Sequence, residues 1–203
     1  PIMAARGKAE FRMAPDMPLT LDGMDYMRYS TVYEGDPVLL SQSSDLAPFT
    51  LAEDYAMIRW LQDNIQGSPV ILEGQSVDTQ YKWNGRISIY TGLPSVVGWN
   101  FHQRQQRTLD PMNRIIDMRN ANVNAFYETF NLGIAYQIMR FYNVEYIIVG
   151  RLEHAHYSEQ GLAKLDQMVE LGILEVVFEE GESRIYHVIP GHEPPRIEVG
   201  GEV

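Results

Sequence analysis

The 203-residue chain contains no cysteine. This absence excludes disulfide bonds, zinc–thiolate sites and thiol catalysis, but it leaves the cellular compartment open. The chain also lacks a run near the roughly 18 consecutive apolar residues that a membrane-spanning helix needs. Glycine-rich nucleotide loops, serine-hydrolase turns and zinc-protease motifs are absent as well. We therefore expect no cofactor and no metal ion.

Positive charge is scarce. Sixteen Lys and Arg residues stand against 27 Asp and Glu residues, which gives a net charge of −11 and an isoelectric point near 4.8. Nucleic-acid partners require a basic face, so this balance argues against them, and it also argues against broad adsorption on anionic lipid. Hydrophobic residues make up 45% of the chain, which is enough for one folded domain with a sizeable core.

The scarce positive charge is concentrated beside aromatic rings in the segment 81–107, YKWNGRISIYTGLPSVVGWNFHQRQQR. Residues 82–119 include six basic and two acidic residues, a local net charge of +4. This segment predicts an anion-attracting surface, because guanidinium groups bind phosphate or carboxylate and rings offer stacking faces. Alternatively, the arginines pair with the acidic remainder of the chain.

The order of apolar patterns and turn residues predicts an α/β domain. We expect a peripheral N-terminal arm over 1–33, a single domain over 34–189 and a flexible tail over 190–203. Strands are predicted over 69–74, 95–99 and 144–150, with a hairpin over 174–189. Helices are predicted to begin at a Thr50–Glu53 capping box, at Asp110 (through Arg119), at Asn131 and at Ser158, the last ending at Gly172. Together they predict a mainly parallel, Rossmann-like sheet flanked by helices, with an antiparallel C-terminal hairpin at its edge.

Polar residues follow three of the predicted strands. In open parallel sheets such residues meet beyond the carboxyl ends, so Glu73, His102 and Glu153 are candidates for general acid–base chemistry. Alternatively, these carboxylates are solvated or cap helices. The pair His154 and His156 has a metal-ligand spacing, but no third ligand is identifiable from the sequence.

Aromatic and planar polar residues alternate in the basic segment. Flat rings with multi-donor side chains suit sugar recognition, although such rings also serve as half-buried core residues. The residues with this potential are Tyr81, Trp83, Tyr90 and Trp99, together with Arg86, His102, Gln103 and Arg107.

An ordered series of motifs extends over roughly residues 20 to 188. They are TLDGMDYM (20–27), ILEG (71–74), Y-x-W-x-x-R-x-S (81–88), TGLP (91–94), GWxxHQxQxR (98–107) and YxVEYIIVGxLExxxY (142–157). With these motifs the chain resembles the C-terminal soluble part of the YYY membrane protein family of Chloroflexi and archaea. Those large polytopic proteins are similar in layout to type C glycosyltransferases, which use lipid-linked sugars.

The resemblance implies an extracytoplasmic domain attached to a transmembrane part of the same polypeptide, with residues 1–33 leading out of a membrane span. The main catalytic carboxylates would lie elsewhere, so the isolated domain is not expected to be catalytic. Its motif residues would help bind a glycan or a lipid-linked sugar; they are Glu73, Tyr81, Trp83, Arg86, Trp99, His102, Arg107, Glu153 and Tyr157. One departure is HQRQQR at 102–107, where the family pattern HExQWR carries an acidic residue after the histidine; it weakens any acid–base role at Gln103.

Three hypotheses follow from the sequence. The first is a ligand-binding domain of a membrane glycosyltransferase. The second is a non-catalytic scaffold or interaction domain, in which Arg86 and Glu73 form a buried ion pair covered by Trp83 and Trp99. The third is an independent hydrolase that uses Glu73, Glu153 and His102.

Overall fold

The computed structural model describes residues 12–13, 18, 20–32, 49–75, 83–107 and 110–191. The strands are β1 (Arg12–Met13), β2 (Ser30–Val32), β3 (Phe49–Thr50), β4 (Val70–Leu72), β5 (Val144–Val149), β6 (Leu174–Glu180) and β7 (Ser183–Val188). The helices are α1 (Ala52–Asn64), α2 (Arg86–Thr91), α3 (Asn100–Gln106), α4 (Asp110–Glu128), α5 (Leu132–Tyr142), α6 (Arg151–His156) and α7 (Glu159–Glu170), with a 3₁₀ turn at Asp25–Tyr29.

The main sheet has the strand order β4-β5-β7-β6. Strands β4 and β5 are parallel, while β7 is antiparallel to both of its neighbours. The α/β class and the antiparallel hairpin at the edge are confirmed. The pairing is mixed rather than mainly parallel, because the tight turn between β6 and β7 reverses the chain and places β7 directly beside β5.

The predicted strand over 95–99 forms a single parallel bridge, between Ser95 and Ile71. The Ile71 N–H donates to the Pro94 carbonyl (2.9 Å), and the Val96 N–H donates to the Ile71 carbonyl (3.2 Å). The chain then enters α3 at Asn100, so the pairing ends after one bridge.

Alternating strand residues divide the core between the two faces of the sheet, because successive side chains of a strand point to opposite faces. Leu72, Ile147 and Tyr186 belong to one apolar cluster, which includes Phe126, Met139 and Leu165 from α4, α5 and α7. Their chain neighbours Ile71, Ile148 and Ile185 belong to the other, which includes Met57, Ile58 and Leu61 from α1 and Met27 from the 3₁₀ turn. The domain is therefore a sheet between two layers of helices.

Two of the predicted helix starts have the expected caps. The side chain of Asn131 accepts a hydrogen bond from the Ile134 N–H at the start of α5, and that of Ser158 accepts one from the Gly161 N–H at the start of α7. Gly172 follows α7 with φ +70°, a backbone conformation that favours glycine. Helix α4 continues nine residues past the predicted end at Arg119, because the apolar spacing persists through Val123 and Phe126 without a breaker.

The capping box predicted at Thr50 and Glu53 is wrong. Leu51 caps α1 without a side-chain hydrogen bond, and the Ala52 N–H donates to Thr50 Oγ1 (3.2 Å). The Glu53 carboxylate instead crosses to the hairpin, where it accepts hydrogen bonds from Ser183 Oγ (2.7 Å) and the Glu182 N–H (3.1 Å). Sequence spacing cannot distinguish a local cap from such a long-range contact.

Within the ranges given above, no helix has the length and apolar character needed to cross a membrane. The 3₁₀ turn at Asp25–Tyr29 packs against α1 with Met27 buried, and β2 pairs with β1 and β3. Residues 33–48, around the predicted start of the domain, and most of the predicted tail lie outside the described residues. The domain boundaries stay a prediction.

Candidate functional site

A buried ionic cluster lies at the carboxyl ends of β4 and β5. Its centre is Arg86, the first residue of α2, whose side chain has no exposed surface. Arg86 Nε donates to Asp54 Oδ1 (2.8 Å), while its two terminal nitrogens donate to the Glu153 carboxylate (2.8 and 3.2 Å). Such a fork onto a carboxylate is the strongest geometry available to an ion pair. Arg86 therefore ties α1, α2 and α6 together.

Backbone donors complete the coordination of Glu153. The N–H groups of Gly74 and Gly150 each donate to one Glu153 oxygen at 2.8 Å. Both glycines lie so close to the cluster that a side chain would collide with it. An added Cβ on Gly74 would lie 2.9 Å from Glu153 Cγ, and one on Gly150 would lie 2.9 Å from the Arg86 guanidinium. The absence of side chains at Gly74 and Gly150 therefore leaves space for the Arg86–Glu153 ion pair at the ends of the two strands.

Glu73 lies beside this cluster and anchors the start of α2. Its carboxylate accepts hydrogen bonds from the N–H groups of Ile87 (3.0 Å) and Ser88 (3.2 Å). The scaffold hypothesis expected a pair between Arg86 and Glu73, but the hydrogen-bonded partners of Arg86 are Asp54 and Glu153. A carboxylate that binds the first N–H groups of a helix satisfies donors that have no partner within the helix.

The cluster places three carboxylates around one guanidinium. Burial raises the pKa of Glu73 to about 7, against the lowering effect of the Arg86 charge. Burial likewise raises the pKa of Asp54, although Arg86 opposes it. For Glu153, burial acts in the same direction, but the Arg86 charge and the hydrogen bonds outweigh it and hold its pKa below the usual range. The excess of carboxylates therefore favours a proton on Glu73 rather than on Glu153.

Trp83 and Tyr157 belong to the same buried framework. Trp83 Nε1 donates to Asp54 Oδ2 (2.6 Å). The Tyr157 hydroxyl accepts from the Gln75 N–H (2.9 Å) and donates to Asn124 Oδ1 (2.8 Å), and its ring stacks on Tyr127 at 4.6 Å. Both side chains are less than a tenth exposed, so they contribute to the packing of the domain.

Sequence reasoning missed three residues of this framework: Asp54, Gln75 and Asn84. Asn84 Nδ2 donates to Gln75 Oε1 (3.0 Å), and both side chains are buried. Gln75 and Asn84 carry no motif of their own. For Asp54, the available signal was a second acidic residue next to Glu53 on a face of α1 that otherwise carries apolar core residues.

The remaining candidates are accessible from solvent. His102 and Arg107 are exposed at α3 and its end, and Trp99 is half-buried before it. Trp99 Nε1 donates to the Asn84 carbonyl (2.7 Å), and its ring meets the His102 ring edge-to-face at 6.4 Å. Phe101 is 41% exposed on the same helix. Trp99, Phe101, His102 and Arg107 define what we call the α3 surface; Tyr81 lies outside the described residues.

Part of the positive charge of this segment has structural roles. Arg86 is buried, Arg104 pairs with Asp117, and Arg119 donates to the Val96 carbonyl (3.2 Å) and lies over the Tyr142 ring. Arg107 and Arg114 are exposed. The structure thus combines both sequence interpretations, with some arginines satisfied inside the domain and others facing solvent.

The hydrolase hypothesis does not fit this geometry. Glu73 and Glu153 have at most 1% of their surface exposed and bind backbone donors, while His102 faces solvent on α3. An accessible acid–base pair is therefore not formed by these residues. No group of three potential ligands suited to a metal ion occurs among the described residues, and His154 Nε2 lies 3.1 Å from the Glu182 carbonyl.

Comparisons with known proteins find structural similarity but no sequence match. No protein-family model and no curated protein sequence matches the chain. Among solved structures, it is similar to the C-terminal globular domain of an oligosaccharyltransferase from Archaeoglobus fulgidus, with a TM-score of 0.42 and 12% sequence identity. The match covers 66% of this chain and 95% of the other. A similarity at this level does not assign a family, so membership of the YYY family stays a prediction.

Proposed function

We propose that this chain is the extracytoplasmic domain of a polytopic membrane glycosyltransferase of the YYY type, and that its α3 surface binds a glycan or a lipid-linked sugar. The transmembrane part of the same polypeptide would be its permanent partner and would supply the catalytic carboxylates. Nucleic acid is not a partner, since the net charge is −11. The proposal rests on the ordered motifs described above.

One observation carries the assignment of the binding role. The motif residues fall into two sets, one buried and one accessible. Glu73, Trp83, Arg86, Glu153 and Tyr157 form the buried framework, whereas Trp99, His102 and Arg107 reach the surface. The framework fixes the position of the Trp83–Arg107 region on the sheet. A rigidly held surface with rings and a guanidinium is suited to sugar faces and to phosphate.

The burial of five motif residues also favours a second candidate, a scaffold domain without ligand. In that case the same framework serves only to hold the fold together and to present a surface to the membrane part. The two candidates differ in what the α3 surface does, so substitutions there distinguish them.

The test is a thermal-shift titration of the domain with farnesyl phosphate, as a short polyprenyl phosphate, and with maltotriose. We expect one of these probes to raise the melting temperature, because a ligand that binds only the folded state stabilises it. His102→Ala and Arg107→Ala should abolish the rise and leave the unliganded melting temperature nearly unchanged, since both side chains are exposed. Arg140→Ala, which removes an exposed arginine from α5, should retain the rise.

Arg86→Met provides the complementary control. It leaves Asp54 and Glu153 without their cation, so the unliganded protein should lose about 3–5 kcal/mol of stability. A rise that survives in both α3 variants would overturn the binding role. A different result, in which neither probe binds even when the transmembrane part is present, would make the scaffold the better description.

A further inference from the structure

A groove lies between α7 and the β6–β7 hairpin and shares no residue with the α3 surface. Its volume is about 500 Å³. Val149, Leu162, Ala163 and Tyr186 provide its apolar lining. Charged and polar residues complete it, namely His154, Glu159, Asp166, Glu182 and Arg184, with Gly181 at the turn.

Carboxylates outnumber guanidinium groups around this groove. Arg184 is shared between Glu179 (2.7 Å) and Asp166 (3.0 Å). Arg151, which lies next to the hairpin turn, likewise forms ion pairs with both Glu53 and Glu182, at 2.7 Å from each. Each arginine thus faces two carboxylates, and negative charge remains in excess.

Glu159 adds to this excess. It is exposed at the start of α7 and has no ion-pair partner among the residues that the structure describes. Of the three carboxylates in the groove, Glu159 has no cation partner among the described residues, while Asp166 and Glu182 each share an arginine with a carboxylate outside the groove. Such a surface attracts a ligand with positive charge and disfavours an anionic one.

The spacing along α7 defines the shape of the ligand. Glu159, Ala163 and Asp166 are at positions i, i+4 and i+7 and therefore share one face of the helix. The two carboxylates are separated by about 10 Å along the helix axis, at about 1.5 Å per residue. Ala163 and Leu162 provide apolar surface between them. An arginine or lysine side chain combines an aliphatic stem with a cationic end and matches this arrangement.

We propose that the groove binds a basic peptide segment, whose arginine or lysine side chain lies along Leu162 and Ala163 with its charge between Glu159 and Asp166. The partner is a peptide rather than a sugar because the groove carries excess negative charge and an apolar lining. This site is independent of the proposed role of the α3 surface.

The test is a titration of the ¹⁵N-labelled protein with acetyl-Leu-Arg-Leu-amide, followed by amide chemical-shift changes. We expect the changes to map to residues 159–166 and 181–186. Acetyl-Leu-Gln-Leu-amide, which lacks the charge, should bind at least tenfold more weakly, a loss of about 1.4 kcal/mol. Added salt should weaken binding of the arginine peptide.

A charge-matched pair of variants completes the test. Glu159→Gln with Asp166→Asn should raise the Kd for the arginine peptide at least about tenfold, the difference expected for one lost charge contact. Asp63→Asn with Glu170→Gln removes two exposed carboxylates outside the groove and should leave the Kd unchanged. Equal binding of the two peptides, shifts that map elsewhere, or shifts at the groove with maltotriose instead would each overturn the proposal. Melting curves of all variants verify that they are folded.

Discussion

At the scale of single residues, the chemistry of this domain is concentrated in charged side chains that solvent does not reach. Arg86 is buried with three carboxylates around it, an arrangement that is stable only because each group has hydrogen-bond partners. Three carboxyl groups and one guanidinium would leave excess negative charge in this buried site. The carboxyl groups therefore cannot all keep the protonation that they have in water. Burial raises the pKa of Glu73 and of Asp54. Glu73 binds two backbone N–H groups, whereas the guanidinium binds Asp54 and Glu153.

The first prediction concerns Glu73 and pH. Its pKa is raised from 4.5 to about 7 in the folded protein. A carboxyl group that binds its proton more tightly when folded destabilises the fold progressively as the pH rises from about 4.5 to about 7, and by a constant amount above that. Glu73→Gln removes this titration. The free energy of unfolding of the variant, relative to that of the unsubstituted protein, should therefore rise by roughly 3 kcal/mol between pH 4.5 and pH 7.

Urea unfolding at pH 5 and pH 8 measures this difference. Glu170→Gln, an exposed glutamate of α7, is the control and should show no such gain. If the effect of Glu73→Gln is the same at both pH values, the proton assigned to Glu73 is misplaced.

At the scale of secondary-structure elements, glycines determine how closely neighbours approach. Gly161 lies in α7 against the end of α4, where an added Cβ would be 2.3 Å from the Tyr127 carbonyl oxygen and 3.1 Å from Glu128 Cα. Both contacts are with backbone atoms, which cannot rotate away. The packing of α7 on α4 therefore depends on the absence of a side chain at this position.

The second prediction is that Gly161→Ala destabilises the domain by at least about 1–3 kcal/mol, the usual cost of overpacking, despite the better helix propensity of alanine. Gly23→Ala is the control, because an added Cβ there would meet no residue other than its chain neighbours within 4 Å. That variant should stay within about 0.5 kcal/mol of the parent. Chemical denaturation compares the two, and equal stabilities would contradict this account of the α4–α7 contact.

The hairpin shows the same dependence on distant partners. Glu53 from α1 and Arg151 from α6 pair with each other, and both bind the turn between β6 and β7. The sequence predicts the hairpin from its own turn residues. The side chains that attach it to the domain come from distant parts of the chain.

At the scale of the whole molecule, Tyr127 links the helical layer to the sheet. Its hydroxyl donates to the Ile148 carbonyl (2.7 Å) and lies 3.0 Å from the Leu72 carbonyl, so that one side chain of α4 binds the ends of β4 and β5. The ring is fully buried between Phe126 and Tyr157. The two parallel strands and the layer that covers them therefore share one hydrogen-bonding group.

The third prediction is that Tyr127→Phe lowers the free energy of unfolding by about 1–3 kcal/mol, because the buried carbonyls lose a donor while the ring packing is kept. Tyr136→Phe, which removes a hydroxyl from a partly buried ring on α5, should change stability by less than about 0.5 kcal/mol. Thermal unfolding at pH 7 measures both. A Tyr127→Phe variant as stable as Tyr136→Phe would show that the hydroxyl does not link the layers.

Local patterns of the sequence determined several of the elements, although not α2 or α3. The helix starts at Asn131 and Ser158, the end at Gly172, the strand beginning at Val144 and the C-terminal hairpin depend on neighbouring residues alone, and all are confirmed. The α/β class follows from their order. Composition and motifs also selected Arg86, Glu73 and Glu153 as residues of special importance.

Only the tertiary structure decided what those residues contact. The partners of Arg86 lie 32 and 67 positions away along the chain, and Glu53 reaches a turn about 130 positions away. Spacing along a chain carries no information about which distant carboxylate folding brings to a guanidinium. Nor does it show whether solvent reaches the pair, and this burial separates the structural framework from the α3 surface.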